Sequence, residues 1–114
     1  MIFVTGGLYA GKRAWVHDYL GYAEDQMASE LGAATPVLFD VQELSDSTTA
    51  DDLAGYEVVI CNEVGCGLVP IDAADRAHRE HVGRLACELA KRATIVVRVY
   101  CGIAEVIKGE VPAT

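Results

Sequence analysis

The chain has 114 residues, the length of one domain with a modest interior. Its 17 Asp and Glu against 9 Lys and Arg give a net charge of -8, which argues against a general nucleic-acid binder, whose surface must neutralise phosphates. A hydrophobic content of 52% is more than so small a domain buries alone, so homo-oligomerisation is expected. No apolar run reaches the roughly 18 residues that a membrane span needs, and no signal peptide precedes the first strand. A cytoplasmic protein without a membrane partner is expected.

The elements follow in chain order. Ile2 to Thr5 is a β-branched run that reads as a buried strand. A glycine loop follows, then apolar residues at Val16, Leu20, Ala23, Met27 and Leu31, whose steps of three and four predict one long helix ending at Gly32. Pro36 introduces a second strand, Val37 to Val41. The stretch from Glu43 to Tyr56 is just long enough for a short helical crossover. Glu57 to Asn62 is a third strand, and a helix is predicted from Asp72 to Arg92, with His78, Val82, Leu85, Leu89 and Ala93 on its buried stripe. Thr94 to Tyr100, a turn at Cys101-Gly102, and Ala104 to Lys108 close the chain. Strands alternating with helices predict one α/β domain over residues 1–114, with three layers and a mostly parallel sheet ending in an antiparallel edge hairpin.

The chemistry concentrates in Gly6, Gly7, Leu8, Tyr9, Ala10, Gly11, Lys12 and Arg13, which match the phosphate-loop pattern G-x-x-x-x-G-K. Glycines let backbone N–H groups approach phosphate oxygens, and Lys12 reaches the outer phosphates of GTP or ATP. The plain alternative is a glycine-rich turn with a surface lysine. Arg13 stands where such loops carry a serine or threonine that ligates magnesium, and a guanidinium has no acceptor. Magnesium binding is therefore weakened. Arg13 itself either turns away or contacts phosphate.

Glu63 lies past the end of the VVICN strand, where doubly wound sheets gather ligands, and is a candidate base or magnesium ligand. Asn62 beside it can only orient, and Asp40 is a weaker candidate on the same positional logic. A solvated or interface face explains Arg76, Arg79 and Arg84 on the second long helix, and Arg76 and Arg79 near its start are also candidates to meet an anionic substrate. His17, His78 and His81 are given no catalytic role. Cys61, Cys66, Cys87 and Cys101 lack paired metal-site spacing and read as free thiols.

TGGLYAGKR together with NEVGCGLVP and the following R-A-H-R-E-H-V-G-R-L resembles the bifunctional adenosylcobinamide kinase/adenosylcobinamide-phosphate guanylyltransferase family. The resemblance implies a phosphate-loop fold that binds nucleotide and a corrinoid in cobalamin biosynthesis. It implies Gly6 to Lys12 as the nucleotide loop and Asn62, Glu63, Gly65, Gly67 and Pro70 as the active-site strand end and loop. Arg76, Arg79, Gly83 and Arg84 match its helix. The chain departs at Arg13, at Ala86-Cys87 in place of Asn-Gln, and in the short ELSDSTTADDLAGY, which replaces a long segment that carries the guanylylated histidine of the family. Two readings result. One is nucleoside-triphosphate-dependent phosphorylation of a corrinoid hydroxyl, with Lys12 and Glu63 catalytic; the other is a non-catalytic nucleotide- or corrinoid-binding module.

Overall fold

The computed structural model describes residues 1–63 and 72–111. Strand β1 (Ile2–Gly6) runs through the middle of a six-stranded sheet. It is flanked by β4 (Val58–Asn62) and β5 (Ile95–Tyr100), both parallel to it, with Ile2 level with Val58 and Ile95. Beyond β4 lie β3 (Val37–Leu38) and β2 (Met27–Ala28), also parallel; beyond β5 lies β6 (Ile103–Lys108), antiparallel. The mostly parallel sheet with one antiparallel edge is the architecture expected from the alternation of elements.

Side chains alternate across the sheet and feed a core on each face. On one face Phe3, Val59, Cys61 and Val96 pack against Val82, Leu85 and Leu89 of helix α3 (Ala73–Arg92). Ala50 and Leu53 of the short α2 (Ala50–Leu53) join them. On the other face Val4, Val58, Ile60, Val97 and Val99 surround Val16 and Met27. The Asp72 side chain caps α3 by accepting from the Ala74 N–H at 2.7 Å, which sets the predicted start of that helix.

The first helix differs from its expectation. There α-helical backbone runs only through α1 (Lys12–Trp15), followed by a π-helical turn over Val16–Leu20; Glu24–Gln26 is a separate 3-10 turn. Gly21, at φ +83°, then takes the left-handed conformation and ends it, and Ala23 is extended. Met27, whose spacing suggested a helix face, is instead a buried edge-strand residue paired with Val37, and Leu31 is 42% exposed. The second strand is also shorter than predicted. Asp40 sits at φ +54° and Val41–Glu43 turns as a 3-10 helix, so regular pairing stops at Leu38. His78 is half-buried with polar partners, not packed on the stripe. Cys61 is buried, while Cys87 and Cys101 are exposed free thiols. Among the described residues, no helix is long and apolar enough to cross a membrane.

Candidate nucleotide-binding site

The loop between β1 and α1 is held from both sides by backbone. The Glu63 N–H donates to the Gly6 carbonyl at 2.8 Å, joining the loop to the end of β4. The Gly102 N–H donates to the Ala10 carbonyl at 2.8 Å, joining it to the β5–β6 turn. Gly6, at φ +151°, must be glycine: a Cβ there would lie 2.3 Å from the Val99 carbonyl oxygen. Gly11 at φ +92° opens the helix in a left-handed conformation.

Among the described residues, three non-glycine residues also have left-handed backbone: Tyr9 at φ +58°, Asp40 at φ +54° and Cys101 at φ +50°. Tyr9 is in the loop, Asp40 lines the cavity in front of it, and Cys101 precedes the glycine that anchors it. Such conformations cost about 1 kcal/mol each and gather where surrounding structure imposes a particular shape. Here all three gather around one loop.

Lys12 is 7% exposed, and its ammonium donates to the Gly7 carbonyl at 2.5 Å. A surface lysine does not describe it. Burial lowers its pKa below the usual 10.5, against the opposing pull of Cys61, Asp40 and Glu63. The same burial pushes the Cys61 thiol up to about 12, which makes it inert. The cavity before the loop has a volume of about 350 Å³, and its wall includes Lys12, Arg13, Asp40 and Asn62.

The other candidate charges are each engaged. The Arg13 guanidinium donates to Glu24 at 3.1 Å and lies 3.9 Å over the Phe39 ring, so it is turned toward the edge of the cavity. Glu63 accepts from Arg98 through both carboxylate oxygens, at 2.7 and 3.2 Å. A metal role for Glu63 thus requires that pair to open. Arg13 brings no acceptor, and among the described residues no three His, Cys, Asp or Glu side chains are grouped to hold a metal; Asp40 in the cavity wall is the carboxylate that would face a magnesium ion on the phosphates. Asn62 is held through its backbone N–H, which donates to Gln42 Oε1 at 2.9 Å, and Gln42 Nε2 lies 3.4 Å from Asp40. Arg76 and Arg79 stand on the first two turns of α3 and are not among the described lining residues. Gly65, Gly67 and Pro70 lie outside the described residues.

Sequence reasoning missed Arg98 and Gln42. Arg98 reads as one polar residue in an apolar strand, a signal that it faces something charged. Gln42 has no such pattern. Its burial follows from the turn that Asp40 begins, which a sequence does not display.

The sheet order and the lysine-bearing loop after the central strand define an α/β protein of the phosphate-loop type. A family model described as cobinamide kinase/cobinamide phosphate guanyltransferase matches residues 14–107, and the chain belongs to that family. No curated protein matches. Membership supports a role related to cobalamin biosynthesis and the use of a nucleotide.

Proposed function

We propose that the chain binds the polyphosphate of a nucleoside triphosphate at Gly6–Arg13 and transfers its terminal phosphoryl group to a corrinoid hydroxyl. The observation that carries the reading is the buried Lys12 folded onto its own glycine loop, with a cavity in front of it. On binding, Lys12 exchanges the Gly7 carbonyl for phosphate oxygens, where a charge-assisted bond is stronger. In the transfer the bond between the terminal phosphorus and its bridging oxygen breaks and the nucleoside diphosphate leaves. The corrinoid oxygen bonds to that phosphorus, and the hydroxyl proton passes to Glu63 at the end of β4 once its pair with Arg98 opens. Lys12 and the loop N–H groups stabilise the charge that develops. Guanylyl transfer is left out of the proposal, because the short connection from Glu43 to Tyr56 offers no histidine nucleophile.

A second reading, a nucleotide-binding module without turnover, is favoured by Arg13, which replaces a hydroxyl and is committed to Glu24 and Phe39. Exposed Tyr100, Ile103 and Ile107 support self-association in either case. A cytoplasmic location suits both readings. Calorimetric titration with GTP and ATP, followed by mass analysis of cobinamide incubated with each, tests them. Lys12→Ala is expected to weaken nucleotide binding about 100-fold, ~2.7 kcal/mol. Unchanged affinity in that variant overturns the site. Binding without a phosphorylated corrinoid leaves the second reading.

A further inference from the structure

Arg98 is the charged residue of the otherwise apolar strand β5, and its side chain is 44% exposed. It is level with Thr5 of β1, which in turn is level with Cys61 of β4, so the three form a row across the sheet just before Gly6. Glu63 follows directly on β4. The Arg98 guanidinium reaches past β1 to hold both oxygens of that carboxylate, at 2.7 and 3.2 Å. The pair thus bridges the strands on either side of β1 at the point where the phosphate loop leaves it. The Tyr100 ring, 5.9 Å from the guanidinium, borders it on the same strand. Glu63 is also close enough to Lys12 for its charge to oppose the lowering of the lysine pKa by burial.

We propose that Arg98 is a ligand of the terminal phosphoryl group: it leaves Glu63 when a nucleoside triphosphate fills the loop, and the carboxylate it releases is then free to take a proton. The proposal rests on triphosphate binding at Gly6–Arg13 and says what opens the pair. A guanidinium presents parallel N–H donors that fit a phosphate edge as well as a carboxylate edge, and a terminal phosphate carries more charge than Glu63. A solvent-exposed ion pair holds weakly, so the exchange costs little. The loop has a use for this cation. Arg13 stands where a metal-holding hydroxyl would and is engaged by Glu24 and Phe39, which leaves Lys12 as the loop's own charge for the outer phosphates. A nucleoside diphosphate lacks the terminal group, gives Arg98 nothing to exchange for, and leaves the pair shut. Glu63 is unmasked only when there is a phosphoryl group to transfer.

The full chain and its Arg98→Gln variant are titrated by calorimetry with GTP, GDP, ATP and ADP. Arg98→Gln is expected to weaken the triphosphates about tenfold or more and to leave the diphosphates within about twofold, with an unchanged circular-dichroism spectrum as the check on folding. A Glu63 carboxylate deprived of its partner also repels phosphate. The same substitution is therefore repeated in the Glu63→Gln background, where the tenfold loss should persist. Arg98→Lys, which keeps the charge but not the fork, should weaken the triphosphates less than Arg98→Gln and with the same selectivity, and it carries the test if Arg98→Gln does not fold. Equal weakening of di- and triphosphates overturns the proposal. So does an Arg98→Gln effect that vanishes once Glu63 is replaced. In either case Lys12-dependent nucleotide binding keeps the loop site standing without it. If none of the four nucleotides binds, both fall.

Discussion

The two faces of the sheet are built differently. One carries α3, twenty residues of regular helix with a side-chain cap at its start and Val82, Leu85 and Leu89 buried along one stripe. The other carries α1, four α-helical residues running into a π-helical turn that Gly21 stops. The regular face has a polar outer surface and an apolar seam. The irregular face borders the cavity before the phosphate loop. Regularity here belongs to the scaffold, and local backbone cost belongs to the site, as expected when a binding loop must hold a shape that its own sequence does not favour.

The same substitution on the two faces is expected to act with opposite sign. Gly6→Ala drives a Cβ into the Val99 carbonyl and should cost about 3 kcal/mol or more, or prevent folding. Gly83→Ala, inside α3 with nothing within 4 Å of the added Cβ, should stabilise by about 0.5–1 kcal/mol. Urea unfolding of both variants measures the contrast. A destabilised Gly83→Ala would show that the scaffold face has constraints of its own.

Those two glycines also mark what the sequence makes legible. The strands β1, β4, β5 and β6 and the helix α3 were readable because local pattern, capping and burial agree over many residues. The end of α1 was not, because Ala23, Met27 and Leu31 continue a helical period while Gly21 breaks it. Met27 is apolar for the sheet and not for a helix. Within the site, the loop and Lys12 were legible from spacing. The engagement of Glu63 by Arg98, and of Arg13 by Glu24 and Phe39, joins residues far apart in the chain or on irregular backbone, and spacing carries no record of it.

Arg13 offers a sharper test of the irregular face. In the phosphorylation reading, Arg13→Ser restores a magnesium-ligating hydroxyl and should raise phosphoryl transfer about tenfold, ~1.4 kcal/mol of barrier, in a Lys12-dependent way. Corrinoid phosphorylation followed by mass analysis measures it. Equal, clearly detectable turnover in both proteins would mean that Arg13 already serves the phosphates. In the unsubstituted chain, chelating magnesium should alter nucleotide affinity less than about tenfold by calorimetry. Complete loss of binding would reveal a metal ligand other than the replaced hydroxyl.

The smallest expected effect lies where the regular face meets the site. His78 of α3 has Nδ1 2.5 Å from Asp46 Oδ1 and Nε2 2.7 Å from the Gln42 carbonyl, two partners that only accept. Both ring nitrogens must therefore donate, which requires the imidazolium. The Asp46 carboxylate, with help from the Gln42 carbonyl and the charge of Glu43, raises its pKa above the usual 6.5. Because the folded value is the higher one, the contribution is complete below about pH 6.5 and is lost as pH rises through the folded value. The side chain is 36% exposed, so screening should leave a few tenths of a kcal/mol. Thermal unfolding from pH 6 to 9, compared with Asp46→Asn, checks it. An identical pH slope in the variant would remove the ion pair as its cause.

The hydrogen bond from Gly102 to Ala10 has a consequence for the order of events during synthesis. β1 leaves the ribosome before the strands that flank it, and is completed only when β4 and then β5 arrive. The loop after β1 waits longer still, for the turn beyond β5. Pairings so distant in sequence form slowly. A nascent chain that has released α3 but not Gly102 would thus carry its scaffold helix without a finished phosphate loop. In the nucleotide-binding reading, nucleotide has nothing to grip until the β5–β6 turn has been released, so ligand added to a cell-free reaction speeds only the steps that follow that release.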